Sequence, residues 1–149
     1  MLGETDEATF ESLINDNFKG TYFSVQEALP YMADGGSITL TSSLTQYQGN
    51  PGFAVYAATK AAVSQLIRSM TATLLPTRGI RVNAVSPGII DNEMMDGELQ
   101  GEMREKIEEQ TPAGRLGRAD EVAGVVTFLA SDEARFISAQ DVLIDGGAH

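Results

Sequence analysis

Three side chains in one stretch of the sequence have the types and spacing to move a proton. Ser43 is followed thirteen residues later by Tyr56, and Lys60 comes four residues after the tyrosine. A lysine four positions after a tyrosine on a helix shares its face. The ammonium and the phenol then point into one pocket. A free phenol has a pKa of about 10 and is a poor acid at neutral pH. A neighbouring ammonium stabilises the phenolate and brings that value toward the working range. A hydroxyl from the end of a preceding strand, Ser43, completes the group.

Those residues need a strand before the serine and a helix under the tyrosine, and the sequence supplies both. SITLTS, Ser37 to Ser42, reads as a short strand buried on both faces. A loop rich in Gln, Gly and Pro covers Leu44 to Gly52. A long helix follows from Phe53 to Leu75, with Val55, Ala58, Ala62, Val63, Leu66, Ile67, Met70 and Leu74 as its apolar stripe, and Pro76 to stop it.

Upstream, residues 6 to 32 follow helical spacing through Phe10, Leu13, Ile14, Phe18, Tyr22, Val25 and Leu29, with Thr5 as N-cap. Asn17 lies on that apolar stripe and Gly20 sits inside the helix, which points to close packing or a local bend. A satisfied buried amide is the plainer account of Asn17 from this segment alone. Ala33 to Gly36 reads as a turn. Downstream, Ile80 to Ser86 is a second buried strand, closed by Pro87-Gly88.

Residues 91 to 110 carry eight acidic side chains against Arg104 and Lys106, a solvated helical segment with a poor apolar pattern. It reads equally as a lid over a pocket or as plain surface. Ala119 to Ala130 is a helix facing inward through Val122, Val125, Val126 and Leu129. Ala139 to Asp145 is a last strand, ended by Gly146-Gly147. Strands alternating with helices indicate one α/β domain over 1–149 with a parallel sheet and helices on its faces.

Composition narrows the function classes. With 21 acidic and 10 basic side chains, the net charge of -11 speaks against nucleic acid and anionic membrane as partners. There is no cysteine, so disulfides and thiolate metal sites are excluded, and no metal ion is expected. No apolar run is long enough to span a bilayer and the N-terminus lacks a signal-peptide core, so a cytoplasmic setting fits. The single histidine is the last residue, His149, which argues against a Ser-His-Asp hydrolase.

Taken in order, these residues resemble the classical short-chain dehydrogenase/reductase family over nearly the whole chain. The resemblance rests on Asn17 in its N-x-x-G setting, on Ser43 at its spacing to the tyrosine, and on YAATK, Tyr56 to Lys60, as the Y-x-x-x-K motif. RVNAVSPG, RLGRADEVAGVVTFLAS and DVLIDGG extend it to the C-terminus. A lone Y-x-x-x-K is a weak signal; the ordered set is a strong one.

The resemblance implies reversible hydride transfer between a nicotinamide cofactor and a small carbonyl or alcohol substrate. It implies Tyr56 as acid/base and Lys60 as its partner and ribose ligand. It also implies Ser43 on the substrate oxygen and Asn17 holding a water in a proton relay. Pro87, Gly88, Ile90 and Asn92 fall at cofactor-contacting positions, with Asn92 where many members have threonine. Ala139 stands where glycine is common. Leu44, Phe53 and the acidic segment would shape the substrate pocket. A dimer or tetramer is implied through the first helix and the long helix from Phe53.

One departure is large. No glycine-rich strand-turn-helix for a pyrophosphate occurs in the sequence. The resemblance covers the C-terminal portion of a Rossmann-type doubly wound sheet, about three strands with flanking helices. About 90 residues of nucleotide-binding strands and helices are missing from the pattern. Met1 then reads as an internal start, an imposed boundary or a misassigned start. NAD and NADP are not distinguished, because the residues that read the ribose lie in the missing part. This chain alone is expected to lack turnover, and a silent piece serving only association is the alternative. An unrelated α/β binding protein is the remote third reading.

Overall fold

In a computed structural model, residues 3–92 and 100–149 are described, and they form a three-stranded parallel sheet with helices on both faces. The strand order is β1 (Ser37–Thr41), β2 (Arg81–Pro87), β5 (Asp141–Ile144). β1 pairs with β2 from Ser37↔Arg81 to Thr41↔Val85, and β2 pairs with β5 from Ala84↔Asp141 to Pro87↔Ile144. β2 is therefore the central strand. Its residues 81–86 are all buried, as a strand covered on both faces must be.

Alternation along β2 separates the two faces. Val82 and Ala84 join a core with Val25, Leu40, Val63, Ile67, Leu74 and Ile80 under α2 (Gly20–Ala28) and α3 (Ala54–Arg78). Arg81 points to the other face, where α5 (Ala119–Ala130) ends. Its guanidinium is buried and donates to Leu129 O at 2.7 Å and Ser131 O at 3.1 Å. A cation on the last carbonyls of a helix both satisfies those oxygens and sits at the negative end of the dipole. Ser37 Oγ donates to the same Leu129 carbonyl at 3.1 Å, tying α5 to β1.

The expected order of elements holds, and several details differ. The first helix is capped by Asp6, not Thr5: the carboxylate accepts from Thr9 N–H at 2.7 Å. The helix is also not uniform. It runs as α1 (Glu7–Leu13), a π-helical stretch Ile14–Lys19, and then α2. Gly20 N–H reaches back five residues to Asn15 O, and a Cβ on Gly20 would lie 3.2 Å from that oxygen. The interior glycine is there because the widened turn leaves little room beside its own carbonyl. Phe10 points outward, 48% exposed, and Tyr22 and Phe23 of α2 are exposed as well.

β1 is not buried on both faces. Only Leu40 is buried; Ser37 to Thr39 are half-covered and Thr41 is exposed. Among the described residues β1 has β2 on one side and no strand on the other. α3 does not stop at Pro76. The ring removes only the bond to the carbonyl of residue 72, and the helix continues to Arg78. Gly79, at φ 65°, ends it in the left-handed conformation, with its N–H on Leu74 O and Leu75 O. Arg78 fixes this end by binding Asp34 at 2.8 Å, Leu29 O at 2.7 Å and Met32 O.

Ala58 is exposed; Thr59 and Ser64 take the inward positions instead. The loop after Ser43 contains a short 3-10 turn, Leu44–Tyr47. The acidic segment resolves into β3 (Ile90–Asp91), paired in parallel with β4 (Gly117–Arg118), and α4 (Glu102–Gln110). The lid reading also fell on residues 93–99, which lie outside the described residues. Arg104 links the two parts by binding Asp91 at 2.6 Å and Glu108 at 2.9 Å. The last strand is shorter than expected at both ends, and α5 has its predicted bounds.

An edge strand without a neighbouring strand, on a chain that also exposes aromatics, is a template for association. Light scattering of the purified chain is expected to give a mass above that of one chain. A monodisperse monomer across the micromolar range would contradict this.

Candidate active site

The site is built where the C-terminal end of β1 meets the N-terminal half of α3. Ser42 N–H donates to Val85 O at 2.8 Å, so the pairing with β2 carries one residue past the end of β1 and sets Ser43 in place. Ser43 is buried at the start of the Leu44–Tyr47 turn. Its Oγ accepts from Thr45 N–H at 3.2 Å and from Thr45 Oγ1 at 3.0 Å. Both contacts use the oxygen as acceptor, which leaves the hydroxyl hydrogen for an outside oxygen.

Tyr56 lies in the first turn of α3, half-buried, with its ring edge-on to Phe53 at 6.3 Å. Lys60, one turn further, places Nζ 5.6 Å from the centroid of the Tyr56 ring. The shared face expected from the spacing is therefore present. The ammonium also donates to Thr41 O at 3.1 Å, which ties it to the end of β1. Burial lowers the Lys60 pKa below its ordinary value, because the half-buried ammonium loses hydration.

Asn17 and Lys60 face one cavity of about 560 Å³ between α2 and the outer edge of β1. The π-helical stretch carries Asn17, and Thr21 Oγ1 donates to its carbonyl at 2.7 Å. Single π turns inside helices re-aim side chains and occur often at functional sites. Sequence reading missed Asp16, Thr21 and Ser24, which line the same cavity. Gly20, with its polar neighbours one helical turn away, was the available signal.

The remaining expected residues lie beyond β2. Pro87 ends that strand, and Gly88 N–H donates to Ile144 O at 2.9 Å. A Cβ on Gly88 would sit 2.9 Å from the Asp145 backbone, so only glycine passes there without displacement. Ile90 opens β3, and Asn92 follows it on the surface. Leu44 is buried, whereas Phe53 is half exposed at the start of α3. Lys60 thus meets both Asn17, across the cavity, and Tyr56; Ser43 follows β1 without lining that cavity, and Pro87, Gly88, Ile90 and Asn92 come after β2.

A nicotinamide cofactor was expected from the sequence, and the residues present fit one end of it. The Lys60 ammonium, with Asn17, Thr21 and Ser24 on the same cavity, suits ribose hydroxyls, whereas the space beside Gly88 is taken by Asp145. Among the described residues there is no glycine-rich turn leading into a helix N-terminus that would hold a pyrophosphate.

Comparison with known proteins gives a consistent picture. The family profile described as "Enoyl-(Acyl carrier protein) reductase" matches residues 1–149. The chain is 40% identical over 151 residues to the 3-oxoacyl-[acyl-carrier-protein] reductase FabG of Staphylococcus aureus, covering 100% of this chain and 61% of that protein. Among solved structures, a short-chain dehydrogenase/reductase from Brucella melitensis superposes with TM-score 0.92 at 34% identity, covering 99% of this chain and 59% of that one. A blue fluorescent protein from a metagenomic library, solved in complex with NADPH, gives TM-score 0.89 at 31% identity, covering 99% and 59%. The chain spans about three fifths of the length of these relatives.

The lowered Lys60 pKa has a signed consequence for stability. The unfolded lysine keeps the ordinary value of 10.5. Between the lowered value and 10.5 the unfolded chain binds more protons, so stability rises with pH across that window. Below it the penalty for burying the charge is fully present. Amine labelling of Lys60 is expected to show a midpoint below 10.5, and Lys60→Met should remove the stability rise seen by denaturant titration. A midpoint at 10.5 or above would contradict the burial account.

Proposed function

The chain belongs to the short-chain dehydrogenase/reductase family of oxidoreductases, and from that premise we propose that it carries the proton-transfer half of an NAD(P)-dependent carbonyl reduction. The observation that carries this reading is the Tyr56–Lys60 face of α3, with Nζ 5.6 Å from the centroid of the phenol ring and Lys60 lining one cavity with Asn17. When bound, a reduced nicotinamide supplies the hydride.

This chain's residues do the rest. Ser43 donates its free hydroxyl hydrogen to the substrate carbonyl oxygen and holds it near Tyr56. As the carbonyl carbon takes the hydride, the oxygen becomes an alkoxide and receives the Tyr56 phenol proton. The Lys60 ammonium stabilises the phenolate left behind. Asn17 lines one cavity with Lys60, where it holds a water that links Lys60 to solvent as a proton relay. Pro87, Gly88, Ile90 and Asn92 border the nicotinamide end. Run in reverse, the same groups oxidise an alcohol.

The substrate class is a small carbonyl or alcohol. The names of the relatives make a 3-oxoacyl thioester the first substrate to try, and the NADPH-bound neighbour makes NADPH the first cofactor, with NADH second. A homodimer or tetramer through α1–α2 and α3 is part of this reading. A second reading, association without turnover, is favoured by the exposed aromatics Phe10, Tyr22 and Phe23. Among the described residues, no helix is long and apolar enough to cross a membrane.

The test joins this chain to the part of the Staphylococcus aureus relative that it does not span, and follows nicotinamide absorbance with a 3-oxoacyl thioester. Tyr56→Phe should lose about 100-fold or more in turnover while NADPH still binds. Turnover within a few-fold of the parent would overturn the assignment of Tyr56.

A further inference from the structure

A partly buried polar cluster lies behind the candidate site, on the far side of Ser42. Its centre is the carboxylate of Asp141, at the start of β5. Oδ2 accepts from Gln46 Nε2 at 2.7 Å, from Tyr47 Oη at 3.3 Å and from Ser64 Oγ. Oδ1 accepts from Ser86 Oγ at 2.7 Å. Four donors thus arrive from three elements: the turn after Ser43, α3 and β2.

The cluster reaches the backbone of the site through Ser42. Gln46 Nε2 lies 2.8 Å from Ser42 Oγ and 2.9 Å from Ser86 Oγ, and Ser64 Oγ lies 2.9 Å from Ser42 Oγ. Ser42 Oγ in turn donates to the carbonyl of Lys60 at 2.9 Å. Ser42, Ser64 and Ser86 are all buried.

Counting hydrogens shows why the centre is an acid. The Gln46 amide brings two, and the hydroxyls of Tyr47, Ser64 and Ser86 bring one each. All converge on one small volume, and the Ser42 hydrogen leaves it for Lys60 O. An ionised carboxylate is the side chain that accepts without donating. An asparagine at 141 would turn a further N–H₂ into that crowd of donors. The Tyr47 phenol pKa is raised, first by burial and then by Asp141 beside it.

We propose that Asp141 is a positioning residue that clamps the Ser43 turn to α3 and so sets Ser43 in register with Tyr56 and Lys60. Beside this clamp the turn has two other anchors, the buried Leu44 and Gln48 Nε2, which donates to Ala148 O at 3.0 Å. Ser43 Oγ binds only within the turn, to Thr45, and the backbone bonds of Gln46 and Gln48 are local. The contacts from Gln46 and Tyr47 to Asp141 join it to β5, and Gln46 Nε2 also reaches Ser86 Oγ of β2. The catalytic meaning of the clamp rests on the function proposed above.

Site-resolved amide hydrogen exchange on the chain itself tests the clamp without needing turnover. Thr45 N–H is held by Ser43 Oγ and Gln48 N–H by Thr45 O, so both report on the turn. In Asp141→Asn, and in Gln46→Ala, which leaves the strands untouched, these two amides should exchange about tenfold faster. The interior amides of α3 at Ile67 and Leu74 should stay within about twofold. The exchanged pair, Gln46→Glu with Asp141→Asn, returns an acceptor to the cluster from the other side and should restore protection.

Unchanged exchange at Thr45 and Gln48 in both single variants would overturn the proposal. So would an equal loss across α3, or a double variant no better than Asp141→Asn. A chain that clamps its turn but transfers no hydride in the joined protein would sink the oxidoreductase reading alone. Where turnover is present, Asp141→Asn should lower kcat about tenfold with the nicotinamide KM within about twofold; an unchanged kcat would reduce the clamp to a stabilising contact.

Discussion

Parallel pairing on both sides of β2 is the constraint on which the rest of the structure depends. β2 is the one strand of the described sheet with neighbours on both edges, and its residues 81–86 are buried. The β1 register places Ser42 opposite Val85 O, and so decides where Ser43 leaves the sheet. The β5 register brings Asp141 level with Ala84, within reach of Ser86. One apolar face, Val82 and Ala84, sets the height of α3 above the sheet, and with it the height of Tyr56 and Lys60. A slip of one residue in β2 would exchange its two faces, bury Asn83 in the α3 core and move Arg81 away from α5.

The candidate chemistry follows from that frame because each functional side chain sits on or next to a regular element rather than on a long loop. Tyr56 and Lys60 share the first turns of a 25-residue helix held at its far end by Gly79 and Arg78. Ser43 starts a turn tied down by hydrogen bonds to its own neighbours and to β5. Asn17 is aimed by a π turn in an otherwise regular helix. Lys60 is held from two sides, its ammonium by Thr41 O and its carbonyl by Ser42 Oγ. Partial burial of that ammonium is costly when it is charged, and a phenolate beside it would offset the cost.

Much of this was legible in the sequence. Element order, the parallel sheet, the α5 boundaries and the common face of Tyr56 and Lys60 follow from hydrophobic period and i,i+4 spacing. What was not legible has physical causes. Pro76 was expected to end α3, yet near a helix end the lost bond is a single one and a left-handed glycine completes the turn. Thr5 was expected to cap α1, but Asp6 stands one residue closer and carries the charge. β1 was expected to be buried on both faces, yet only Leu40 of it is buried. The Asp141 cluster could not be foreseen, because Gln46, Ser64, Ser86 and Asp141 lie on four separate elements and no periodicity links them.

On the proposed reading, Tyr56, Lys60 and the Gly88 turn each contact a bound nicotinamide. The most direct measurement is a two-dimensional amide NMR titration of this chain with NADPH at millimolar concentration, where a weak, half-held ligand is still visible. The account predicts shift changes confined to Tyr56, Lys60, Gly88 and Ile90 and absent from α4 and α5. No change at those amides, or changes centred on α4 or α5 instead, would contradict it.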